Sequence, residues 1–298
     1  MMYYTKITKP FHKAPDLTNF NTSFRIFKTH FNGVIFIKRY NMRILLLLLF
    51  SLSSIITHPL YAQSTAALNG AWKLNEGEKT HIIIIQDHTY AHTIYQGKQF
   101  LATQGGVFST QGNTLTATIL FNNTDSAKVN TSMSVPFRVT GSQLILDMGG
   151  NEIPFDRVDD GKGALAGVWR ITGRMGDDGK ITPIHQTGTR QTLKLLTGTK
   201  FQWVAIDPAK KQFSGTGGGS YTFKDGKYTE NIEFFSRDNT RVGASLVFDG
   251  KLEKGDWHHS GLSSKGAKIY EVWSPQVTKQ ATSVIIAPPP PMPPKSKQ

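Results

Sequence analysis

Polar and apolar residues alternate in short runs along most of this chain, the period of strands with one buried face. Such runs at His81–Ile85, Thr89–Tyr95, Gly106–Ser109, Thr114–Phe121, Ser132–Val139, Gln143–Met148 and Ile153–Arg157 predict strands. Between them stand the breakers Gln96-Gly97, Gln111-Gly112-Asn113, Asn122-Asn123-Thr124-Asp125 and Thr140-Gly141-Ser142. Helical periodicity is scarce, so the expectation is an all-β chain whose strands form an antiparallel meander, closed as a barrel or sandwich. The stretch Gly215-Thr216-Gly217-Gly218-Gly219 reads as a flexible turn between strands, not a phosphate loop, because no helix follows it.

The pattern occurs twice. Gly218-Gly219-Ser220-Tyr221 and Tyr228–Phe234 are echoed by Gly105-Gly106-Val107-Phe108 and Leu115–Phe121 at one spacing (218 − 105 = 113). The same spacing links Lys98-Gln99-Phe100 to Lys211-Gln212-Phe213, Asp125 to Asp238 and Leu144 to Trp257. An ungapped match of this length marks a tandem duplication. The first copy spans 66–158 and the second 163–276, with Val158–Gly163 as linker. Their openings, Leu68-Asn69-Gly70-Ala71-Trp72 and Leu165-Ala166-Gly167-Val168-Trp169, lie closer together (169 − 72 = 97). Sixteen extra residues are therefore expected between Trp169 and Gln191, where the Gly/Asp-rich Gly173–Lys180 suggests an inserted hairpin or mouth loop.

Charge changes the picture little. Of 34 Lys+Arg and 21 Asp+Glu, residues 1–62 hold eight and one, which leaves a scattered excess of +6 (26 − 20) on the remainder. No concentrated basic footprint exists, so nucleic acid is not an expected partner. The absence of cysteine excludes disulfides, thiolate zinc sites, a Cys nucleophile and a lipid-modified cysteine. Met42-Arg43, the apolar Ile44–Ile56 and Pro59-Leu60-Tyr61-Ala62 read as a secretory signal at 42–62, cut after Ala62. Its apolar run falls short of the ~20 residues of a membrane span. Residues 1–41 read as an upstream extension, and the proline-rich 277–298 as an extended, disordered end. The expected location is secreted or periplasmic, with no lipid anchor and no stable span once the signal is removed.

Gly70-x-Trp72 and Gly167-x-Trp169, each just after a leucine at the head of a meander, resemble the Gly-x-Trp opening of lipocalins. Through Tyr228-Thr229-Glu230 and Lys268–Trp273, the second copy is similar to secreted bacterial lipocalin-like domains of unknown function. The resemblance implies two tandem lipocalin-like barrels, a first-strand Trp plugging each base, and a lumen for a small apolar or amphipathic ligand. Fold likeness does not fix function, so the chemistry must come from residues.

The duplication separates lumen from surface. On Tyr228–Phe234 the face Tyr228, Glu230, Ile232, Phe234 matches Leu115, Ala117, Ile119, Phe121, so it reads as the inner one. Glu230 then replaces Ala117 inside a barrel, and by the same logic His259 replaces Leu146. With Trp203, Tyr221, Tyr228 and Trp257 these two compose an aromatic pocket with two polar contacts, the composition of a small-molecule site. Glu230 and His259 are expected to pair with each other, with Arg170 or with a bound polar group. The plain alternative is a buried ion pair that fixes register. Glu230→Ala is expected to leave the fold intact while weakening ligand retention. Glu271 lies on a face of undecided direction, and Glu233 is expected to face solvent.

Metal and cofactor are not expected. His88 and His92 lie four apart on a strand, His258 and His259 point oppositely, and no Gly-x-Ser-x-Gly elbow is present. The leading reading is an exported, non-catalytic carrier of a small, largely apolar ligand in the second barrel. Two rivals stand beside it. One is an envelope-protein or glycan module engaged through loops such as Arg237-Asp238-Asn239; the other is an enzyme using Glu230 and His259 as an acid/base pair.

Overall fold

The computed structural model describes residues 65–276 apart from 186, 264 and 265. The expected signal (42–62), the leader before it and the proline-rich tail (277–298) lie outside the described residues. The first copy is a closed antiparallel barrel of β1 (Gly70–Glu76), β2 (Lys79–Gln86), β3 (Thr89–Gln96), β4 (Gln99–Gln111), β5 (Thr114–Asn122), β6 (Ser132–Thr140), β7 (Gln143–Asp147) and β8 (Glu152–Asp159). The second contains β9 (Gly167–Met175), β10 (Ile181–Pro183), β11 (Gln191–Leu196), β12 (Lys200–Asp207), β13 (Gln212–Lys224), β14 (Lys227–Phe235), β15 (Ser245–Glu253), β16 (Asp256–Leu262) and β17 (Lys268–Pro275). It too closes, because β17 returns to pair with β9. The chain is thus all-β, with two antiparallel barrels in tandem.

The place held by β2 alone in the first barrel is shared by two strands in the second. β11 pairs with Gly167–Arg170 of β9, and β10 with Gly173–Met175. The insertion is therefore a β9–β10 hairpin followed by a segment that leaves and rejoins the sheet. It accounts for fourteen residues, not sixteen: Trp72 faces Ile83 while Trp169 faces Lys194 (194 − 83 = 111, against 169 − 72 = 97). The other two lie in the β12–β13 turn, which is longer than its β3–β4 counterpart.

Both bases are plugged alike. The Trp72 indole donates to the Leu68 carbonyl and that of Trp169 to the Leu165 carbonyl, each at 2.9 Å. Both bends are also made alike, and here the turn expected at Gly215–Gly219 is corrected, since those residues lie inside β13. A Cβ on Gly219 would stand 2.0 Å from the Asn231 carbonyl oxygen, and one on Gly106 2.0 Å from that of Thr118. Bare backbone lets the neighbouring strand approach at a barrel corner, so glycine here marks a bend in a continuous strand.

A register shift beside these glycines leaves Glu233 as the extra residue of a bulge, with Gly218 facing Phe234 and Gly219 facing Ile232. The bulge reverses the strand's faces beyond it. Phe234, expected in the lumen, joins Phe121 in a core between the two barrels. Phe235 turns inward instead, to line the second lumen. Glu233, expected to face solvent, accepts from Tyr95 of the first barrel at 3.1 Å and pairs with Lys200 at 2.5 Å.

The shared core joins Ala71, Ile82, Ile84 and Ala91 to Val168, Leu193, Leu195, Val204 and Ile206. Ile83 and Ile85 point the other way, into the first lumen. The unbroken Ile82–Ile85 run is thus a strand buried on both faces. Asp159 pins the junction by accepting from Thr197 Oγ1 and the Gly198 and Thr199 amides.

Candidate functional site

Four lumen positions that are apolar in the first barrel are ionisable in the second. Ile83 faces Trp72 as Lys194 faces Trp169. Ala117 faces Phe108 as Glu230 faces Tyr221. Leu146 and Ile153 face each other as His259 and Glu271 do. Since the same backbone closes with apolar residues at all four, barrel formation does not demand the charges.

Lys194 Nζ bonds Glu230 Oε1 at 2.8 Å, with side chains only 5% and 7% exposed. The ammonium also sits among four rings, 5.1 Å from Trp273, 5.2 Å from Trp257, 5.3 Å from Tyr228 and 5.7 Å from Phe201. Aromatic faces carry negative charge density, so the cage offsets part of the cost of burying the cation. Glu271 completes the second half of the cluster. It accepts from Arg174 at 2.7 Å and from the Trp273 indole at 3.2 Å. His259 Nδ1 approaches Oε2, the oxygen that accepts from Trp273, at 3.6 Å, longer than a hydrogen bond.

Burial pushes the Glu271 carboxyl up, but the Lys194 and Arg174 charges beside it outweigh that and hold it below the ordinary carboxylate range. Burial likewise holds His259 below its ordinary 6.5, against the pull of Glu271, so the imidazole is neutral at pH 7. Among the described residues neither of its ring nitrogens has a hydrogen-bond partner, and the residue is 2% exposed. Burial, reinforced by the Glu230 charge, keeps the Tyr228 hydroxyl protonated well above 10.

Above this cluster opens a cavity of about 510 Å³. Its walls are apolar, including Ile171, Trp203, Ile232, Leu246 and Phe248, and its mouth carries Arg174, Arg190 and Arg241. Arg241 is held by Asp238 at 3.0 Å and Arg174 by Glu271. Arg190 makes no ion pair or hydrogen bond among the described residues. The inserted segment supplies Ile184, His185 and Arg190 to the lip, tied down where Arg170 donates to the His185 carbonyl at 2.6 Å.

Of the six residues singled out from sequence, Trp203, Glu230 and His259 line this cavity. Tyr221, Tyr228 and Trp257 lie in the packed core beneath it. Tyr228 and Trp257 face the Lys194 ammonium, and Tyr221 donates to the Thr197 carbonyl at 2.6 Å. Glu230 pairs with neither His259 nor Arg170. Lys194, which Glu230 does bond, carries no expectation in the sequence, while Glu271, of undecided direction there, turns inward beside His259. The nearest imidazole to His92 is His81, at 3.2 Å between Nε2 and Nδ1, while His88 packs on Phe108. Among the described residues no three His, Asp or Glu side chains are grouped to hold a metal ion, and no helix is long and apolar enough to cross a membrane. No protein-family model and no curated protein matches this chain.

Proposed function

We propose that this is an exported binding protein whose second barrel holds a small molecule, apolar over most of its surface and carrying one anionic group. The observation that carries the reading is the conversion of four apolar lumen positions, in one copy only, into Lys194, Glu230, His259 and Glu271. Buried ion pairs are seldom more stabilising than apolar residues of similar volume, so their presence in a scaffold that closes without them favours a role toward a ligand. The apolar wall receives the body of the molecule. Arg190, the mouth guanidinium without a partner among the described residues, receives the anion, and the His259 nitrogens, likewise unpartnered there, face the part that reaches deepest. The likeness to lipocalin-like domains belongs to this proposal, supported by two closed meander barrels and the matching Trp plugs.

The rival readings find less support. An acid/base pair needs Glu230 and His259 within reach of each other and of solvent, whereas Glu230 is bonded to Lys194 and both residues are buried. In the loop offered to a protein or glycan partner, Asp238 caps a short helical turn and Arg237 donates to the Ser214 carbonyl. Native mass spectrometry for a retained anion, with titration of anilinonaphthalene sulfonate, tests the proposal. Arg190→Ala should weaken the dye roughly tenfold, the loss expected for one hydrogen bond to a charged group. Equal binding by wild type, Arg190→Ala and the Lys194→Ile/Glu230→Ala double variant sinks it.

A further inference from the structure

We propose that the lumen of the first barrel is a second binding site, taking an uncharged apolar molecule with one carbonyl oxygen. This goes beyond the reading of the second barrel and uses none of its residues. The first lumen encloses a cavity of about 400 Å³, within the range of small-molecule sites. Its wall is built from side chains such as Leu74, Ile83, Leu115, Ala117, Met133 and Leu146.

Few polar groups line it. The Tyr90 hydroxyl is buried and has no hydrogen-bond partner among the described residues, and burial keeps it protonated, so it is a donor without an acceptor. His92 is engaged with His81, and burial, with His81 beside it, lowers its pKa to about 4, so it is neutral at pH 7. Gln104 is engaged with Asn122. A water needs two to four polar partners to stay in such a cavity; besides the Tyr90 hydroxyl the lining's other orphan is His81 Nε2, which stands 3.4 Å from Glu76 at the rim, so at Tyr90 those partners are not provided. A carbonyl oxygen on an apolar molecule would satisfy Tyr90 and displace nothing.

The charge of the ligand follows from the same lining. It contains no lysine or arginine, and the one carboxylate is Glu76, whose side chain is 66% exposed at the rim beside His81. A carboxylate or sulfonate entering here would lose its hydration, find no cation and pass a like charge. The second lumen, with Lys194 and the mouth arginines, has the opposite preference. The duplicated barrels are thus expected to sort ligands by charge.

The test titrates the full chain with Prodan, a neutral naphthyl ketone whose emission shifts to the blue in apolar surroundings, and separately with anilinonaphthalene sulfonate. Prodan should bind with a blue shift. Ala117→Trp, which fills the lumen, should weaken it at least about tenfold, and Tyr90→Phe about fivefold, the share of one hydrogen bond. Arg190→Ala should leave Prodan unchanged while it weakens the sulfonate. No Prodan binding to wild type, or Prodan binding that follows Arg190 and ignores Tyr90 and Ala117, overturns the inference. If Ala117→Trp does not fold, Tyr90→Phe decides alone, and unchanged affinity overturns the inference. Loss of the sulfonate arm alone counts against the second-barrel reading and leaves this one standing.

Discussion

Removing Glu230 tests how far the charges in the second lumen depend on one another. Glu230→Ala strands the Lys194 ammonium in a site where its side chain is 5% exposed. Leaving one member of a buried ion pair uncompensated costs about 3–5 kcal/mol. The four surrounding rings retain up to ~2 kcal/mol of attraction, which places the loss near the lower end of that range. The expectation drawn from sequence, that this substitution leaves the fold untouched, is therefore replaced by a marked destabilisation. Lys194→Ile should cost about as much, because it strands the carboxylate.

The double variant Lys194→Ile/Glu230→Ala installs the residues that the first barrel already carries at these positions. It should unfold within about 1 kcal/mol of wild type, since removing both charges also removes their desolvation cost. Urea unfolding followed by tryptophan fluorescence reads all four corners of the cycle. At roughly 2–4 °C per kcal/mol for a domain of this size, each single variant should melt about 6–12 °C low. A double variant that loses the sum of the two singles would show the charges to be uncoupled. Singles within about 0.5 kcal/mol of wild type would show them solvated. Either result refutes the reasoning.

Three further outcomes are expected. His92 has a folded pKa near 4 against an ordinary 6.5, so the unfolded chain takes up its proton first as pH falls. Stability should be full above pH 6.5 and decline by roughly 3 kcal/mol toward pH 4, and His92→Gln should flatten that slope in pH-dependent urea unfolding. Burial raises the Asp159 carboxyl, but bonds from Thr197, Thr199, Gly161 and Gly198 outweigh it, so its pKa lies below 3.8. Its stabilisation is present above that value and fades as pH drops through the lower folded one, and Asp159→Ala should cost about 2 kcal/mol at pH 7 and remove this acid-labile part. Gly219→Ala forces a Cβ against the Asn231 carbonyl and should cost about 3 kcal/mol by thermal melting, while alanine at the open turn glycine Gly243 should cost less.

Much of the architecture was legible because strand period and turn chemistry are local. The spacing of 113 carries Gln99–Gln111 onto Gln212–Lys224, Thr114–Asn122 onto Lys227–Phe235, and the capping Asp125 onto Asp238. Two features could not be read locally. Glycine composition does not tell a turn from a bent strand, and a bulge leaves no mark in residue type, so strand alternation alone puts Phe234 on the wrong face. The site partners were lost for a related reason. At a spacing of 113, Lys194 aligns with His81 and looks unremarkable, whereas the ladder pairs it with Ile83 because two residues entered the β12–β13 turn. Glu271 aligns with Val158 instead of Ile153, because the β16–β17 hairpin, strand ends and turn together, is longer by five residues beyond this pair (118 − 113 = 5, with 271 − 153 = 118). A lysine inside Leu193-Lys194-Leu195-Leu196 was still a signal on its own terms, since an apolar run rarely holds a charge without a buried partner.

The changes in the second lumen extend to the ring cage. Phe201, Tyr228, Trp257 and Trp273 stand where the first barrel has Tyr90, Leu115, Leu144 and Phe155, so three of the four are larger in the second copy. Enlarging Leu115 and Leu144 into Tyr228 and Trp257 fills the lower lumen, which in the first barrel remains part of the cavity. The floor of the second site is therefore raised, and the same rings that raise it face the Lys194 ammonium. One set of substitutions thus both shortens the chamber and makes a buried charge tolerable at its bottom. A scaffold drifting after duplication would be expected to accumulate polar residues singly and at a cost in stability. Here the lysine, its carboxylate and its ring cage occur together, and that coordination is what favours the proposal of a ligand with one anionic group for the second lumen and a neutral one for the first.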